Sequence, residues 1–416
     1  MKGAAPKQRS VVSKHSRLSW LGKQPKFPVL QLPLVLNSPF FTGDEMTDIQ
    51  ELLKLMVERG ASDLFISAEI SPRMKIQGET LPVNLPAHRR QGDEKDDLKI
   101  HIPWPALKQG ESKKIAYELM TSAQRREFEQ TKECNFALAS DHTGRYRVNV
   151  YYQRGEVSVA VRLIKADIPT FDALGLPPQA AQLSLLKRGL VLMVGAAGTG
   201  KSTTMAAMVG HRTKTVDGRI ITIEDPIEFL FTHGKSMVEQ REVGVDTLTF
   251  GDALRNAMRE APDVIVIGEI RDRDTAQHAI MYAEAGALCI STLHSNNANQ
   301  AIDRLLNFFP EDARKQVLMD LSLNLKGVIS QRLIPGMEGG LVLATEVLLQ
   351  SAYSSDLIQK GQIDVLKDAI KKGTEVGMQL FDDCLYKLYK ARKISEQEAL
   401  HNADTRTDLA LKIKLS

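Results

Sequence analysis

The sequence predicts a two-domain protein in which a smaller α+β domain precedes an α/β domain built on a parallel sheet. Short strand-like segments fill residues 63–165, whereas apolar, β-branched runs alternate with helical segments over residues 188–294. Near-continuous apolar strands separated by helices are typical of parallel strands that are buried on both faces. At 416 residues the chain is long enough for two well-buried cores.

The composition disfavours several classes of protein. A formal net charge of +3 at pH 7 is far from the strongly basic balance of a dedicated nucleic-acid binder, so no nucleic-acid partner is expected. Cys134, Cys289 and Cys384 are far apart in the sequence, which argues against a disulfide framework or a structural zinc site and fits a reducing cytosol. No apolar window of about 18 residues indicates a membrane span. We therefore expect a cytoplasmic protein that reaches a membrane only through a partner.

The first residues differ from the rest of the chain. Residues 1–45 combine scattered lysines and arginines with an apolar stretch that prolines interrupt, which favours a disordered basic leader over a signal peptide. Thr47 and Gln50 then form a capping-box pattern at the start of an amphipathic helical segment. We expect the ordered protein, and as a hypothesis natural translation, to begin at Met46.

Composition and pattern divide the chain into segments. The charged, turn-rich residues 91–114 are expected to form a surface insertion in the first domain, and helical patterns dominate from about Gln300. The expected order is a leader over 1–45, a first domain over 46–165, a proline-bearing linker over 166–187, a second domain with C-terminal helices over 188–400, and a tail over 401–416.

A glycine-rich segment follows the first apolar strand of the second domain. The residues GAAGTGKST match the pattern G-x-x-x-x-G-K-[ST] and come directly after GLVLMV. Glycines let the backbone fold tightly, so that successive N–H groups point at phosphate oxygens, and the helix expected from Lys201 adds its positive dipole end. Lys201 is expected to reach the outer phosphates and Ser202 to offer its hydroxyl to Mg²⁺. We expect this loop to bind ATP through Gly195, Ala196, Ala197, Gly198, Thr199, Gly200, Lys201, Ser202 and Thr203.

Three other strand ends carry polar residues that a buried strand does not otherwise need. The segments IITIE, VIVIGE and ALCISTLH end at Glu224, Glu269 and His294, respectively. Ligands of open parallel sheets bind beyond the carboxyl ends of the strands, so these side chains are expected around the γ-phosphate. Glu269 is expected to hold Mg²⁺, Glu224 to orient or deprotonate the attacking water, and His294 to donate a hydrogen bond to the γ-phosphate. The sequence leaves open which glutamate activates the water.

A hairpin in the first domain is expected to place two arginines opposite each other. Counting back from a two-residue Arg154-Gly155 turn, Arg147 faces Arg162, while the other face of the hairpin is apolar. Cations directly opposite on neighbouring strands are unfavourable unless an anion lies near them. Either both arginines are solvated and splay apart, or they reach a triphosphate and complete the site of a neighbouring subunit as arginine fingers do.

Four motifs in order resemble those of the hexameric ATPases of the secretion superfamily, and more narrowly those of the PilT/PilU group of type IV pilus retraction motors. They are GAAGTGKST, ITIEDPIE, VIVIGEIRD and STLHSNNANQAIDRLLNFFP. This resemblance, from about Thr47 to Ala391, implies a PAS-like first domain, a RecA-like ATPase domain, a ring of six subunits and action in the cytoplasm at the pilus base on the inner membrane. It also implies that the family's conserved arginines fall on Arg147 and Arg162.

Two departures from the PilT pattern resemble the accessory, PilU-type members of the group. Phe65 stands in SDLFIS where PilT proteins carry SDLHLS, and residues 352–357 are AYSSDL where they carry an AIRNL signature. The scattered cysteines also cannot supply the tetracysteine zinc motif of the superfamily's extension motors.

The sequence therefore predicts a Mg-ATP hydrolase that turns ATP binding and release into force for pilus retraction. Its expected partners are further copies of itself, an inner-membrane platform protein and a PilT-like paralogous motor. An alternative is an ATP-bound adaptor that docks on a true motor and hydrolyses little. A nucleic-acid translocase is disfavoured because the charge is balanced and no basic, aromatic-laced stripe is evident.

Overall fold

The computed structural model describes residues 48–76, 78–83, 104–140, 144–164 and 167–415. The expected leader, Met46, Thr47 of the capping-box pattern and residues 91–103 of the expected insertion lie outside these ranges.

The first domain is a mixed α+β unit, as the sequence predicts. Its elements in chain order are α1 (Asp48–Glu58), β1 (Asp63–Ile66), β2 (Arg73–Ile76), β3 (Glu79–Pro82), α2 (Glu111–Leu119), α3 (Ser122–Thr131), β4 (Glu133–Ser140), β5 (Gly144–Gln153) and β6 (Glu156–Ile164). The strands form one antiparallel sheet in the order β3-β2-β1-β6-β5-β4. The central hairpin β5–β6 is therefore flanked on both sides, by β1 next to β6 and by β4 next to β5.

The core of this domain extends into a region that the sequence division assigned to the surface. Alternate residues of β5, including Tyr146 and Val148, are fully buried against α1. Trp104 and Leu107 belong to the same core, and Glu111 begins a helix rather than a loop. The described part of the expected insertion, from Trp104 onward, is therefore packed against the domain and not separate from it.

The second domain alternates strands and helices around a larger sheet. Its elements are α4 (Phe171–Leu174), α5 (Pro178–Ser184), β7 (Gly189–Val194), α6 (Lys201–Thr215), β8 (Gly218–Glu224), β9 (Ser236–Glu242), α7 (Phe250–Ala257), β10 (Val264–Ile267), α8 (Arg273–Glu284), β11 (Leu288–Leu293), α9 (Ala298–Asn307), α10 (Glu311–Asn324), β12 (Leu325–Pro335), β13 (Leu341–Leu349), α11 (Ala352–Gln359), α12 (Leu366–Lys372), α13 (Phe381–Lys390), α14 (Glu396–His401) and α15 (Arg406–Lys414). Short 3₁₀ turns occupy Met258–Glu260, Ile363–Val365 and Thr374–Val376.

The sheet of the second domain is parallel except at one edge. Its strand order is β13-β12-β7-β11-β10-β8-β9, and only β12–β13 pair antiparallel. Along β7, Leu190, Leu192 and Val194 join one core with α7–α10, whereas Val191 and Met193 join a second core with α6. Burial on both faces explains the continuous apolar runs. The carboxyl ends of β7, β8, β10 and β11 consequently lie along the same edge.

The C-terminal part differs from the sequence prediction. Strands β9, β12 and β13 were not predicted from the sequence, and the expectation of helices from Gln300 is wrong for the two strands between residues 325 and 349. Strand β12 carries buried Ser330 and Gln331 in its middle, so it lacks the continuous apolar run that marks the other central strands. Its partner β13 is an edge strand whose position depends on pairing with β12.

The last residues also pack against the domain. Residues 401–416, separated as a tail in the sequence division, include α15, in which Leu409 and Ile413 are buried in one cluster with Phe381 and Leu385 of α13. Within the described ranges, no helix combines the length and apolar character needed to cross a bilayer.

Candidate active site

The phosphate loop joins β7 to α6, and its backbone requires glycine. Gly198 and Gly200 have φ angles of 78° and 85°, a left-handed conformation that glycine adopts at little cost. A Cβ atom on Gly195 would lie 2.4 Å from Thr199 Oγ1 and 2.7 Å from the carbonyl oxygen of Gln331. Helix α6 begins directly after Gly200, so its unpaired N–H groups are available to an anion.

Lys201 is held inside this loop. Its side chain is largely buried, and Nζ donates hydrogen bonds to the carbonyl oxygens of Gly195 at 3.0 Å and Ala196 at 2.8 Å. Burial lowers the pKa of Lys201, while the charges of Glu269 and Glu228 act in the opposite direction. The ammonium group thus lies at the centre of the loop with two carboxylates near it.

His294 connects Lys201 to Glu269. Its Nδ1 lies 3.4 Å from Lys201 Nζ, and its Nε2 lies 3.1 Å from Glu269 Oε1. An ammonium group can only donate, so Nδ1 is the acceptor and Nε2 carries the proton that points at Glu269. Burial and the Lys201 charge lower the pKa of His294, against the opposing effect of Glu269. The structure therefore brings together the strand-end residues that the sequence singled out after β10 and β11.

Arg271 ties the ends of β10 and β8 together. Its Nε donates to Glu269 Oε2 at 2.8 Å, and its Nη1 donates to Asp225 Oδ2 at 3.0 Å. Asp225 follows β8 directly and Glu269 lies two residues after the end of β10, so the guanidinium fixes the spacing of this edge. Arg271 lies within the motif VIVIGEIRD, but no role was predicted for it, since nothing local in the sequence shows that Asp225 is its partner.

Glu224 is a buried carboxylate of the edge. Its residue is 6% exposed, and Oε1 accepts hydrogen bonds from Thr222 Oγ1 at 2.7 Å and Gln240 Nε2 at 3.2 Å. Burial raises the pKa of Glu224 to about 7, because the cost of desolvating the carboxylate outweighs these hydrogen bonds and one from the backbone of Glu228. A carboxyl group with a pKa near neutrality is suited to exchange a proton with water.

Ser202, one of the residues expected to hold Mg²⁺, lies beside a further carboxylate. Its Oγ donates to Glu228 Oε1 at 3.2 Å. Within the described ranges, no three histidine, cysteine or acidic side chains gather as a metal cage. Hydroxyl and carboxylate oxygens from Ser202, Glu228 and Glu269, on a loop shaped for phosphate, nevertheless fit Mg²⁺, which proteins commonly hold through one or two carboxylates together with substrate phosphates. The residues present therefore fit Mg-ATP.

The arginine hairpin has the register that the sequence predicts. Arg147 pairs with Arg162 across β5 and β6. However, Arg162 also faces Asp63 of β1, and its Nε lies 2.7 Å from Asp63 Oδ1. Asp63 is therefore at least one of the anions that the sequence predicts near Arg162. The sequence alone did not identify Asp63, because β1 joins β6 by a non-local pairing.

The same hairpin contacts the edge of the parallel sheet within one chain. Arg145 Nη2 lies 3.9 Å from Glu242 Oε2 at the end of β9, and Glu242 is the register partner of Glu224. Burial raises the pKa of Glu242, and the charges of Arg145 and Arg147 act against that rise. Among the described residues, neither Arg147 nor Arg162 has a hydrogen bond or ion pair with the phosphate loop.

A phosphate loop, carboxylates after two neighbouring strands and a histidine after a third define an ATP-hydrolysing α/β domain of the P-loop class. Comparisons with known proteins agree with this assignment.

The family described as Type II/IV secretion system protein matches residues 123–351. The type IV pilus ATPase PilU of Pseudomonas aeruginosa is 47% identical over 369 residues, which are 88% of this chain and 92% of that protein. The PilT retraction ATPase of the same organism is 37% identical over 356 residues, 86% of this chain and 98% of that protein.

The fold is shared with a solved relative. The crystal structure of the pilus retraction motor PilT with bound ADP has a TM-score of 0.78 and 38% identity, and the match covers 88% of this chain and all of that one. This chain belongs to the type II/IV secretion system family and, within it, to the PilT/PilU-type ATPases. The predicted fold class, a RecA-like ATPase domain preceded by a smaller PAS-like α+β domain, is confirmed. The homology also supports a motor ATPase of type IV pili.

Proposed function

We propose that this protein is an accessory motor that hydrolyses Mg-ATP to assist type IV pilus retraction and twitching motility. The observation that carries the proposal is the contact of His294 with both Lys201 and Glu269, because it joins the phosphate loop to two adjoining strand ends. Identity of 47% to PilU supports the accessory role. The proposed partners are five further copies in a ring, an inner-membrane platform protein and a PilT-like motor, at the cytoplasmic side of the pilus base.

The chain's own groups divide the work of hydrolysis. Lys201 and the loop's N–H groups bind the phosphates. Ser202 with Glu269 would hold Mg²⁺, which would neutralise negative charge on the phosphates. Glu224 accepts the proton of the attacking water, since its pKa of about 7 leaves it partly ionised. His294 redirects its Nε2 proton from Glu269 to a phosphate oxygen, so nucleotide state alters the contact between β10 and β11.

Arg147 and Arg162 are proposed to neutralise phosphate charge from a neighbouring subunit. Arg162 is suited to this because 66% of its side chain is exposed and it has no bond to the phosphate loop of its own chain. The Arg145–Glu242 ion pair supports the competing arrangement, in which the hairpin of the same chain completes the site. An experiment that mixes Arg162→Ala with Lys201→Ala subunits distinguishes the two.

An adaptor with little hydrolysis is the second candidate. The observation in its favour is AYSSDL at residues 352–357, which forms the start of α11 where PilT-type motors carry a different signature. The steady-state ATPase rate of the purified protein, compared with that of Glu269→Ala, separates the candidates. Indistinguishable rates favour the adaptor, whereas a rate that the substitution abolishes favours the motor.

The cellular experiment is a Lys201→Ala substitution in strains with and without a second retraction motor, scored by twitching motility and surface pilus number. Lys214→Ala is the matched control, because Lys214 is exposed in the last turn of the same helix. If the protein is an accessory motor, Lys201→Ala should abolish or weaken retraction, whereas Lys214→Ala should leave retraction unchanged. Unchanged motility and pilus number in both strains with Lys201→Ala would contradict the proposal.

A further inference from the structure

Strand β12 places Gln331 against both ends of the phosphate loop. The residue is 1% exposed, and its Nε2 donates a 2.7 Å hydrogen bond to Thr204 Oγ1 in α6, just after the loop. At the other end, the carbonyl oxygen of Gln331 lies close enough to Gly195 to exclude a Cβ atom there. Gln331 therefore contacts the residue that begins the loop and the helix that ends it.

Gln331 is not fully satisfied where it lies. Its Oε1 is buried and has no hydrogen-bond partner among the described residues. A buried polar atom without a partner destabilises a fold, because it has lost its hydrogen bonds to water and gained none. A residue chosen only for packing at this position would be apolar, so the amide indicates a role beyond stability.

The neighbours of Gln331 on β12 reach the opposite face of the sheet, as alternation along a strand requires. Ser330 Oγ donates to Glu346 Oε1 at 3.1 Å, and the same oxygen accepts the backbone N–H of Ala298 at 2.9 Å. Ala298 begins α9, which follows the segment that carries His294. Ser330 thus connects β12 to the histidine side of the site.

Arg332 connects β12 to the C-terminal helices. Its guanidinium donates to the carbonyl oxygen of Asn402 and to Asp404 Oδ1, both at 2.7 Å, and lies 3.8 Å from the centre of the Phe381 ring. Asp404 Oδ2 also accepts from Lys367 at 2.9 Å. Of three successive residues on β12, Gln331 therefore contacts the helix of the phosphate loop and Arg332 contacts the C-terminal helices. Ser330 reaches the start of α9 only through Glu346.

We propose that β12 couples the C-terminal helices α13–α15 to nucleotide binding, with Gln331 as the positioning residue that transmits the coupling to the phosphate loop. The inference rests on the proposed ATP site and adds a regulatory route to it. A displacement of α13–α15 moves Arg332, and the rigid strand carries that movement to the Gln331–Thr204 contact. Force on these helices thereby changes the affinity for nucleotide.

The first arm of the test measures the equilibrium affinity for a fluorescent ATP analogue carrying an N-methylanthraniloyl group, and the ATPase kcat and KM. Gln331→Met and Thr204→Val should each weaken affinity about threefold to tenfold, the loss expected for one buried hydrogen bond. They should raise KM more than they lower kcat, and Thr204→Ser should restore wild-type affinity because it keeps the hydroxyl.

The matched control is Gln350→Met. Gln350 Nε2 donates to the carbonyl oxygens of Ser322 and Leu323 at the opposite end of β12 from the loop. This variant should lower the Tm without changing the affinity. An affinity loss in Gln350→Met as large as in Gln331→Met, or none in Gln331→Met, would overturn the proposal.

The second arm tests the route. Asp404→Asn removes a carboxylate that, within the described ranges, forms ion pairs with Arg332 and Lys367 and with no residue of the nucleotide site. It should weaken affinity about twofold to fivefold in the wild-type background and have no further effect in Gln331→Met. Unchanged affinity in Asp404→Asn, or effects that multiply in the double variant, would overturn the coupling. If the wild-type chain itself binds no analogue, or Lys201→Ala binds as well, the proposed function fails first and this inference with it.

Discussion

His294 Nε2 lies 3.1 Å from Glu269 Oε1, and this contact links the ends of β11 and β10 beside the phosphate loop. The donor–acceptor order of Lys201, His294 and Glu269 follows from the chemistry of an ammonium group, which cannot accept. A phosphate at the loop competes for the same protons, so binding must rearrange this chain of contacts. The arrangement supports both sensing and hydrolysis of a nucleotide at one edge of the sheet.

The His294→Ala substitution should lower kcat about 100-fold, because one preorganised donor to the reacting phosphate is lost. Affinity for nucleotide should change by less than about threefold, since Lys201 and the loop N–H groups provide most of the binding. Steady-state ATPase rates and equilibrium binding check this expectation. His401→Ala, at an exposed histidine at the end of α14, is the control and should match the wild type. A large affinity loss with an unchanged kcat would contradict the proposed role.

Catalysis should depend on pH through Glu224. Burial raises the pKa of its carboxyl group to about 7 from an ordinary 4.5, so the group is increasingly ionised between pH 6 and pH 8. The kcat should rise about tenfold over that interval and lose this dependence in Glu224→Gln, whose residual rate should be low. An identical pH profile in the variant would exclude Glu224 as the proton acceptor.

The same group should affect stability with a defined sign. Between the unfolded value of 4.5 and the folded value of about 7, the native state binds more protons than the unfolded state. The free energy of unfolding should therefore fall as pH rises through that window. The stabilising contribution of the protonated Glu224 carboxyl group is fully present below pH 4.5. Denaturant unfolding of Glu224→Gln should show a flatter pH dependence than the wild type. A steeper dependence would contradict the burial of a costly charge at this position.

The requirement for Mg²⁺ should depend on the hydroxyl of Ser202. Ser202→Ala should raise the Mg²⁺ concentration for half-maximal ATPase activity about tenfold, while Ser202→Thr, which keeps a hydroxyl, should remain close to the wild type. Titrations of activity with Mg²⁺ at saturating ATP measure this difference. Equal Mg²⁺ dependence in Ser202→Ala and the wild type would place the metal on the carboxylates alone.

Mixing subunits tests whether sites are completed between chains. Arg162→Ala subunits retain the loop, and Lys201→Ala subunits retain the arginine, so each alone should be inactive. If a neighbour supplies the arginine, an equal mixture should regain about a quarter of the wild-type activity by random assortment in a ring. The control mixture contains Arg154→Ala subunits in place of the Arg162→Ala subunits, because Arg154 lies in the exposed turn of the same hairpin. No recovery at any ratio would assign the arginines to the site of their own chain.

Local pattern was sufficient to predict which side chains lie together at this edge of the sheet. Lys201, Glu269 and His294 each end or follow an element that the sequence marks clearly, and parallel strands bring their carboxyl ends to one edge. The Arg147–Arg162 pairing followed from a two-residue turn, because turn length determines the register. These inferences needed only neighbours in the sequence.

Long-range pairing determined what the sequence analysis missed. Asp63 faces Arg162 only because β1 adds to the hairpin, and Arg271 meets Asp225 only because β8 and β10 are adjacent. Gln331 lies on β12, and β12 was not recognised as a strand in the sequence because buried polar residues interrupt its apolar run. In each case the missing information was which distant element lies alongside, and single-sequence periodicity does not contain it.

The central claim is that Glu269 acts on a nucleotide held by Lys201, and comparing binding with hydrolysis in one set of variants tests it most directly. Equilibrium ATP binding and single-turnover hydrolysis are measured for the wild type, Glu269→Gln and Lys201→Ala. The account predicts that Glu269→Gln binds ATP within about threefold of the wild type and hydrolyses it at least about 100-fold more slowly, because a ligand of Mg²⁺ is lost, whereas Lys201→Ala fails to bind. Hydrolysis by Glu269→Gln at the wild-type rate would contradict the account.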